Sequence, residues 1–153
     1  MRATSQFACL TLLASVSVAS SQSDLQRARL SRVMYAAFQC GTYAEMSGDQ
    51  NEQQRLFNVG MKAGRDFVEA VKGGQISDEA SQKEVPVVVI GLLAGPSTDF
   101  VMGRIFEVAM RDAYDEIVKG AFKFEPSKWE NHKTLIQSKA ETQYRASNCV
   151  LIK

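Results

Sequence analysis

The chain has 153 residues, of which 45% are hydrophobic, 23% are charged and 8% are aromatic. This composition is typical of a single globular domain and argues against a disordered, collagen-like or coiled-coil chain. Eighteen lysines and arginines against 17 acidic residues give a formal net charge of +1. Because there is no basic excess, we expect no nucleic-acid partner.

The N-terminal segment has the features of a secretory signal peptide, which we place at residues 1–19. Arg2 supplies a positive start, residues 7–18 are mainly apolar, and Ala19 ends a small-residue motif of the kind that signal peptidase cleaves. The apolar stretch is shorter than the roughly 20 residues that span a bilayer. The alternative is an anchor that stays attached. We predict a periplasmic or secreted protein with no membrane span after cleavage, in which residues 20–153 form a single helical domain.

Two cysteines lie beyond the predicted signal peptide, Cys40 and Cys149. An even number of cysteines in an oxidising compartment indicates a disulfide, and two of them allow one intramolecular pairing. Their separation makes a poor metal site and does not form a Cys-x-x-Cys redox motif. We therefore predict a Cys40–Cys149 disulfide between the first helix and the end of the last one.

Apolar residues at steps of three and four predict two long helices in the first half of the chain. The first covers residues 24–46, and Gly48 suits the left-handed position that follows a helix. The second covers residues 49–72, with Asp49 as its N-cap.

Glycines and prolines divide the middle of the chain into shorter segments. Gly60 and Gly64 lower the propensity of the second helix, so we expect another helix to approach closely there. A short helix is predicted at residues 77–84. Residues 86–94 are apolar on all sides, which favours a helix in the middle of the bundle over a buried strand without a partner.

Two more long helices are predicted in the second half. Ser97 can cap a helix that ends near Gly120, and Ser127 with Glu130 forms the capping box of a helix that ends near Ser147. The predicted buried stripe of the first of these helices consists of Phe100, Gly103, Phe106, Met110, Ala113 and Ile117. The fold class is therefore all-α, a compact bundle of four main helices plus one or two short helices, stapled by one disulfide.

The sequence lacks the motifs of common catalytic and metal sites. Beyond the single histidine, His132, there is no His-Glu-x-x-His pair, no Gly-x-Ser-x-Gly elbow and no Gly-x-x-x-x-Gly-Lys-Ser/Thr loop. We therefore predict no catalytic residue, no metal, no cofactor and no enzymatic activity.

The most suggestive polar pattern pairs arginines with carboxylates beside glycines. Arg65 lies one turn before Glu69, and Arg104 lies between Asp99 and Glu107. These residues could form a polar network or clamp that holds a carboxylate or phosphate ligand. The alternative is a solvated salt ladder, which we prefer because exposed ion pairs are common and contribute little stability.

An acidic cluster follows in the same helix, formed by Asp112, Asp115 and Glu116. Paired carboxylates could serve a hydrolase, but no Asp-x-Asp-x-Asp-Gly calcium loop is present. We prefer a solvated acidic patch.

Three large aromatic residues surround the last interhelical connection: Phe122, Phe124 and Trp129. They more often fold back onto the core in such a connection, but if exposed they would form a partner-binding surface.

These features favour a small, non-enzymatic binding, inhibitor or immunity-type protein that contacts another envelope or secreted protein. The alternatives are a small-ligand-binding or structural envelope protein and, less favoured, a carboxylate-based hydrolase. Neither the partner nor the oligomeric state follows from the sequence, because fold class does not determine function.

Overall fold

The computed structural model describes residues 13–119 and 129–153. This part of the chain contains the helices α1 (Leu13–Ser47), α2 (Gln50–Lys72), α3 (Asp78–Glu84), α4 (Val87–Ile90), α5 (Thr98–Val118) and α6 (Trp129–Ala146), and a 3-10 turn at Cys149–Leu151. It contains no β-strand. The predicted all-α bundle of four main helices and one or two short ones is confirmed, and the described residues contain two short helices. None of the described helices is both long enough and apolar enough to cross a membrane.

Short-range signals set most of the helix ends. The Asp49 carboxylate accepts a hydrogen bond from the Glu52 amide at 3.0 Å, and the Ser77 and Ser97 hydroxyls cap α3 and α5 in the same way. Gly48 adopts the predicted left-handed conformation, with a φ of 94°. These caps depend on residues within three positions of each other, which is why the sequence reveals them.

Among the long helices, α1 and α5 each have one end that differs clearly from the prediction. Helix α1 begins at Leu13, well before the predicted start, so the predicted signal-peptide boundary at residue 19 falls within this helix. Helix α5 ends at Val118, slightly before the predicted Gly120. The predicted capping residue Ser127 lies outside the described residues.

Helix α1 is the centre of the bundle and contacts α2, α3, α5 and α6. One core cluster joins α1 to α2, α5 and the α3–α4 region, and includes Met34, Phe67 and Ile105. A second cluster joins α1 to α6 and the C-terminal turn, and includes Cys40 and Ala140. The two clusters lie along one long helix, which explains how a single element organises the whole fold.

The glycines of α2 allow close packing, as predicted. A Cβ atom on Gly60 would lie 2.5 Å from Cε1 of Phe38 on α1. A Cβ atom on Gly64 would collide with the Met102 side chain on α5 and lie 2.7 Å from Sδ of Met34. Since real Cβ atoms keep larger distances, the side chains of α1 and α5 occupy the space that a larger residue would need.

The predicted disulfide between Cys40 and Cys149 is present. The two Cα atoms are 5.6 Å apart, and the bond closes a separation of 109 residues. Both cysteines are buried in the second core cluster. The link therefore attaches the 3-10 turn after α6 to the C-terminal third of α1.

The helix predicted at residues 86–94 is shorter than expected, and it does not lie in the middle of the bundle. Helix α4 has only four residues, and Val87 is 84% exposed, while Val89 alone is buried. Four successive β-branched residues have low helix propensity, and Gly91 follows them immediately. The middle of the bundle is closed to this segment because α1, α2 and α5 already approach closely at the glycines of α2.

The buried stripe predicted for α5 is wrong over its first half. The buried residues are Val101, Met102, Ile105, Ala109, Ala113 and Ile117, of which only the last two were predicted. Helix α5 is apolar on two faces, so its spacing supports two stripes equally. Packing of Met102 against Gly64 selects the inner stripe and leaves the predicted one at the surface.

Candidate functional site

The unburied apolar face of α5 forms a continuous surface feature, which we call the outer stripe. Its members follow one another at steps of three or four residues, so they share one face of the helix. They are Phe100, Gly103, Phe106, Met110 and Tyr114. Phe100 is 49% exposed and Tyr114 is 50% exposed, whereas Phe106 is half-buried. Aligned exposed apolar residues differ from the single ones that most protein surfaces carry.

A pocket opens beside the outer stripe, where α1, α2 and α5 meet. We call it the aromatic pocket; its volume is about 280 Å³. It is lined by Phe38, Gly41, Thr42, Glu45, Gln53, Gln54, Phe57 and Phe106. Phe106 belongs to both the outer stripe and the aromatic pocket, which makes them one candidate surface.

Three phenylalanine rings fix the shape of the pocket. The Phe38 and Phe106 ring centroids are 5.1 Å apart, and those of Phe57 and Phe106 are 5.5 Å apart, with an interplanar angle of 84° in both pairs. Such edge-to-face pairs are favourable beyond their buried area. Phe38 is buried, whereas Phe57 is 37% exposed, so the walls facing a ligand belong to Phe57 and Phe106.

The remaining lining residues are small or polar. The Thr42 hydroxyl donates to the Phe38 carbonyl at 3.1 Å, which satisfies it within α1. The Gln54 side-chain nitrogen donates to the Asn58 side-chain oxygen at 3.1 Å. Glu45 is exposed, and no hydrogen bond or ion pair joins its carboxylate to the described residues. The pocket therefore combines aromatic walls with a single anionic group.

The structure brings together only part of the predicted arginine–carboxylate network. Arg65 on α2 pairs with Asp99 on α5 at 3.2 Å, but both side chains are exposed. Arg104 instead donates to the carbonyls of Ala94 and Leu92, at 2.8 and 3.4 Å, and its guanidinium carbon lies 5.8 Å from the Phe100 ring centroid. The predicted set therefore divides into a surface ion pair and a backbone contact.

The other two members of that set take no part in either contact. No ion pair or hydrogen bond joins the side chains of Glu69 or Glu107 to any described residue. These carboxylates point into solvent from α2 and α5. The described geometry does not place both arginines around one ligand.

The predicted acidic cluster is divided among separate partners. Asp112 accepts a hydrogen bond from the Tyr35 hydroxyl at 2.6 Å, and Asp115 pairs with Lys119 at 3.1 Å. Glu116 accepts from the Tyr43 hydroxyl and from the Gln143 amide. The described residues contain no group of three or more histidine, cysteine or acidic side chains suited to a metal.

These tyrosine–carboxylate contacts tie α1 to α5, and a third one ties α6 to α2. Burial and the bond to the neighbouring carboxylate raise the pKa of Tyr35 and of Tyr43 far above the usual range. Burial and Glu52 raise the pKa of Tyr144 to about 12. Arg55 holds the pKa of Glu52 below its usual value. The tyrosines are therefore neutral hydrogen-bond donors that hold the helices in place.

The predicted aromatic surface in the last connection remains a prediction. Phe122 and Phe124 lie outside the described residues. The backbone of Trp129 begins α6, and its side chain also lies outside the description.

Sequence analysis missed Phe38, Phe57 and Glu45 as members of one site. A signal for Phe57 was available, because this aromatic residue lies beside the apolar stripe of α2 and not on it. No comparable signal marks Glu45, since its role depends on where α2 places two rings beside it. Comparisons with known proteins find no match to a protein family, to a curated protein or to a solved structure.

Proposed function

We propose that this protein is an exported, disulfide-stabilised binding module that contacts another envelope or secreted protein, in the manner of an inhibitor or an immunity protein. One observation carries the proposal. The outer stripe presents aligned aromatic and methionine side chains at the surface, while the same helix fills the core with a separate inner stripe. Aromatic residues and methionine are enriched at protein interfaces.

The charges beside the outer stripe favour a protein partner over a membrane or a nucleic acid. Arg104, Glu107 and Arg111 alternate in sign along its edge. Membrane-binding helices instead carry a predominantly basic polar face, and nucleic-acid-binding surfaces carry clustered basic residues. Mixed charges around an apolar centre are typical of the rim of a protein–protein interface.

Export is supported by the disulfide together with the predicted signal peptide. Disulfides persist in oxidising compartments and are rare where thiols are kept reduced. Cleavage after Ala19 would also retain every residue of the two described core clusters. We expect the mature N-terminus at Ser20, which mass spectrometry of the exported protein would measure.

The aromatic pocket also bears on the alternative of a small-ligand-binding protein. Its volume of about 280 Å³ is close to the lower end of the range of about 300–1,000 Å³ that holds most small ligands. A space of this size fits one side chain of a partner, and interface hot spots commonly fill such pockets. A pocket of this size therefore agrees with the protein-binding proposal.

The test is affinity capture from an envelope extract with the mature, oxidised protein and two variants. Met110→Glu places a charge in the outer stripe at a residue that is 37% exposed, and Val87→Lys places one at an exposed apolar residue outside it. We expect one stoichiometric partner to be captured by the wild type and by Val87→Lys, and lost with Met110→Glu. Circular dichroism and thermal unfolding would establish that both variants fold.

Three results would contradict the proposal. The first is retention of the partner by Met110→Glu, and the second is equal loss with both variants. The third is self-association of the wild type, measured by light scattering, that Met110→Glu abolishes. That result would make the outer stripe a contact between copies of this chain.

A further inference from the structure

We infer that the aromatic pocket binds the guanidinium group of an arginine on the partner protein. The proposed function is the basis for placing that arginine on a protein, whereas the chemistry of the pocket is argued from the lining residues alone. Arginine is also one of the residues most enriched among interface hot spots.

Charge is the first argument. Of the eight residues that line the pocket, Glu45 is the only charged one. No described residue supplies its carboxylate with a hydrogen bond or an ion pair. An anionic partner would be repelled, and a neutral apolar side chain would leave this carboxylate and the amide of Gln53 without new contacts.

The ring arrangement is the second argument. Phe57 and Phe106 form an edge-to-face pair, at 84° to each other with centroids 5.5 Å apart, and Phe57 is 37% exposed. A cation is attracted to the face of an aromatic ring. A guanidinium is planar and weakly hydrated, so it can lie on a ring face while its N–H groups bind a carboxylate. An ammonium group is compact and more strongly hydrated, so it loses more hydration when it lies on a ring face.

The chain already contains a contact of this kind. Arg104 lies over the Phe100 ring at 5.8 Å and donates to the Ala94 carbonyl oxygen at 2.8 Å. A guanidinium in this fold thus combines a phenylalanine ring with an oxygen acceptor. The aromatic pocket offers the same two elements, with a carboxylate as the acceptor, and both are open to a partner.

The test uses two capped tripeptides, acetyl-Ala-Arg-Ala-amide and its citrulline analogue, which replaces the guanidinium by a neutral urea of the same shape. Each is titrated into the oxidised protein labelled with ¹⁵N. We expect shifts at the amides of Gly41, Thr42 and Gln53, with the arginine peptide binding about three- to tenfold more tightly, as one cation–π contact plus one partly exposed ion pair allow.

Two variants distinguish the effect of the Glu45 charge from the effect of the surrounding surface. Glu45→Gln should remove the preference for arginine over citrulline, whereas Glu79→Gln, which changes an exposed carboxylate on α3 that does not line the pocket, should retain it. Equal binding of the two peptides, shifts away from the pocket, or a preference that survives Glu45→Gln would overturn the inference.

The peptide titration tests the guanidinium inference and the capture experiment tests the proposed function, so either proposal can be contradicted without the other. Peptide binding without any captured partner would support the guanidinium chemistry but overturn its assignment to a protein arginine. Partner capture that depends on Met110, without peptide binding, would support the proposed function and overturn this inference.

Discussion

At Gly60, the absence of a side chain decides how closely α1 and α2 pack. The Phe38 ring fills the space where a Cβ atom would lie, and the same ring forms the buried wall of the aromatic pocket. A glycine in a helix costs about 1 kcal/mol of helix propensity relative to alanine. The close approach of the Phe38 ring offsets that cost. Because the same ring lines the aromatic pocket, Gly60 connects core packing with the shape of the candidate site.

We predict that Gly60→Ala lowers the free energy of unfolding by about 1–2 kcal/mol, because strain from the displaced ring exceeds the gain in helix propensity. Gly103→Ala is the matched control. A Cβ atom there would meet nothing within 4 Å, so this variant should be stabilised by up to about 1 kcal/mol. Urea unfolding measures both, and a stabilised Gly60→Ala variant would contradict the packing argument.

At the scale of elements, a buried carboxylate attaches α3 to α1. Glu84 is 7% exposed and lies between Arg29 at 3.2 Å and Arg32 at 3.4 Å. Arg32 also donates to the carbonyls of Glu84 and Lys83, at 2.6 and 2.8 Å. Two arginines thus pair with the carboxylate, and Arg32 also satisfies carbonyls at the end of the short helix.

We predict that Arg32→Met lowers the free energy of unfolding by about 2 kcal/mol, since it removes two hydrogen bonds to the backbone and half of the pairing of a buried charge. Arg29→Met should cost about 1 kcal/mol, because it removes a comparable share of the pairing of Glu84 but no hydrogen bond to the backbone. Hydrogen exchange of the α3 amides would locate the effect. Equal costs for the two variants would show that the backbone contacts contribute little.

Helix α5 shows why periodicity alone could not locate the candidate site. Its inner and outer stripes are both apolar and both follow helical spacing, so the sequence is compatible with burial of either stripe. The same ambiguity affects residues 86–94, whose apolar composition favours burial although α4 lies at the surface. In both cases the available space in the core decides which residues are covered, and that space is set by distant parts of the chain.

At the scale of the whole molecule, the disulfide fixes the end of the chain to its central helix. Cys149 lies in the turn after α6, and Cys40 lies in the C-terminal third of α1. Nearby, the Arg55 guanidinium donates to the Ile152 carbonyl at 2.7 Å, which holds the last residues against α2. The cross-link therefore restrains α6, which has fewer other attachments than α2.

We predict that Cys40→Ala/Cys149→Ala lowers the free energy of unfolding by about 3–5 kcal/mol, as expected when a cross-link across a loop of this length is lost. The reduced wild type is the control because it loses the cross-link but keeps both sulfur atoms in the core. It therefore separates the effect of loop closure from the effect of side-chain packing. Guanidinium unfolding measures the three forms. A loss below about 1 kcal/mol in the reduced wild type would contradict the entropic argument.

The sequence by itself determined the helical class, the cysteine pairing and most helix ends, because caps and turns depend on residues a few positions apart. Asp49, Ser77 and Ser97 all cap the helices that follow them, as their local spacing indicates. Only the tertiary structure decided which stripe of α5 is buried and which tyrosine meets which carboxylate. It also brought Phe57 and Phe106 together beside Glu45. These outcomes depend on contacts between residues that are far apart in the chain. The close approach of α1, α2 and α5 sets the geometry of those contacts.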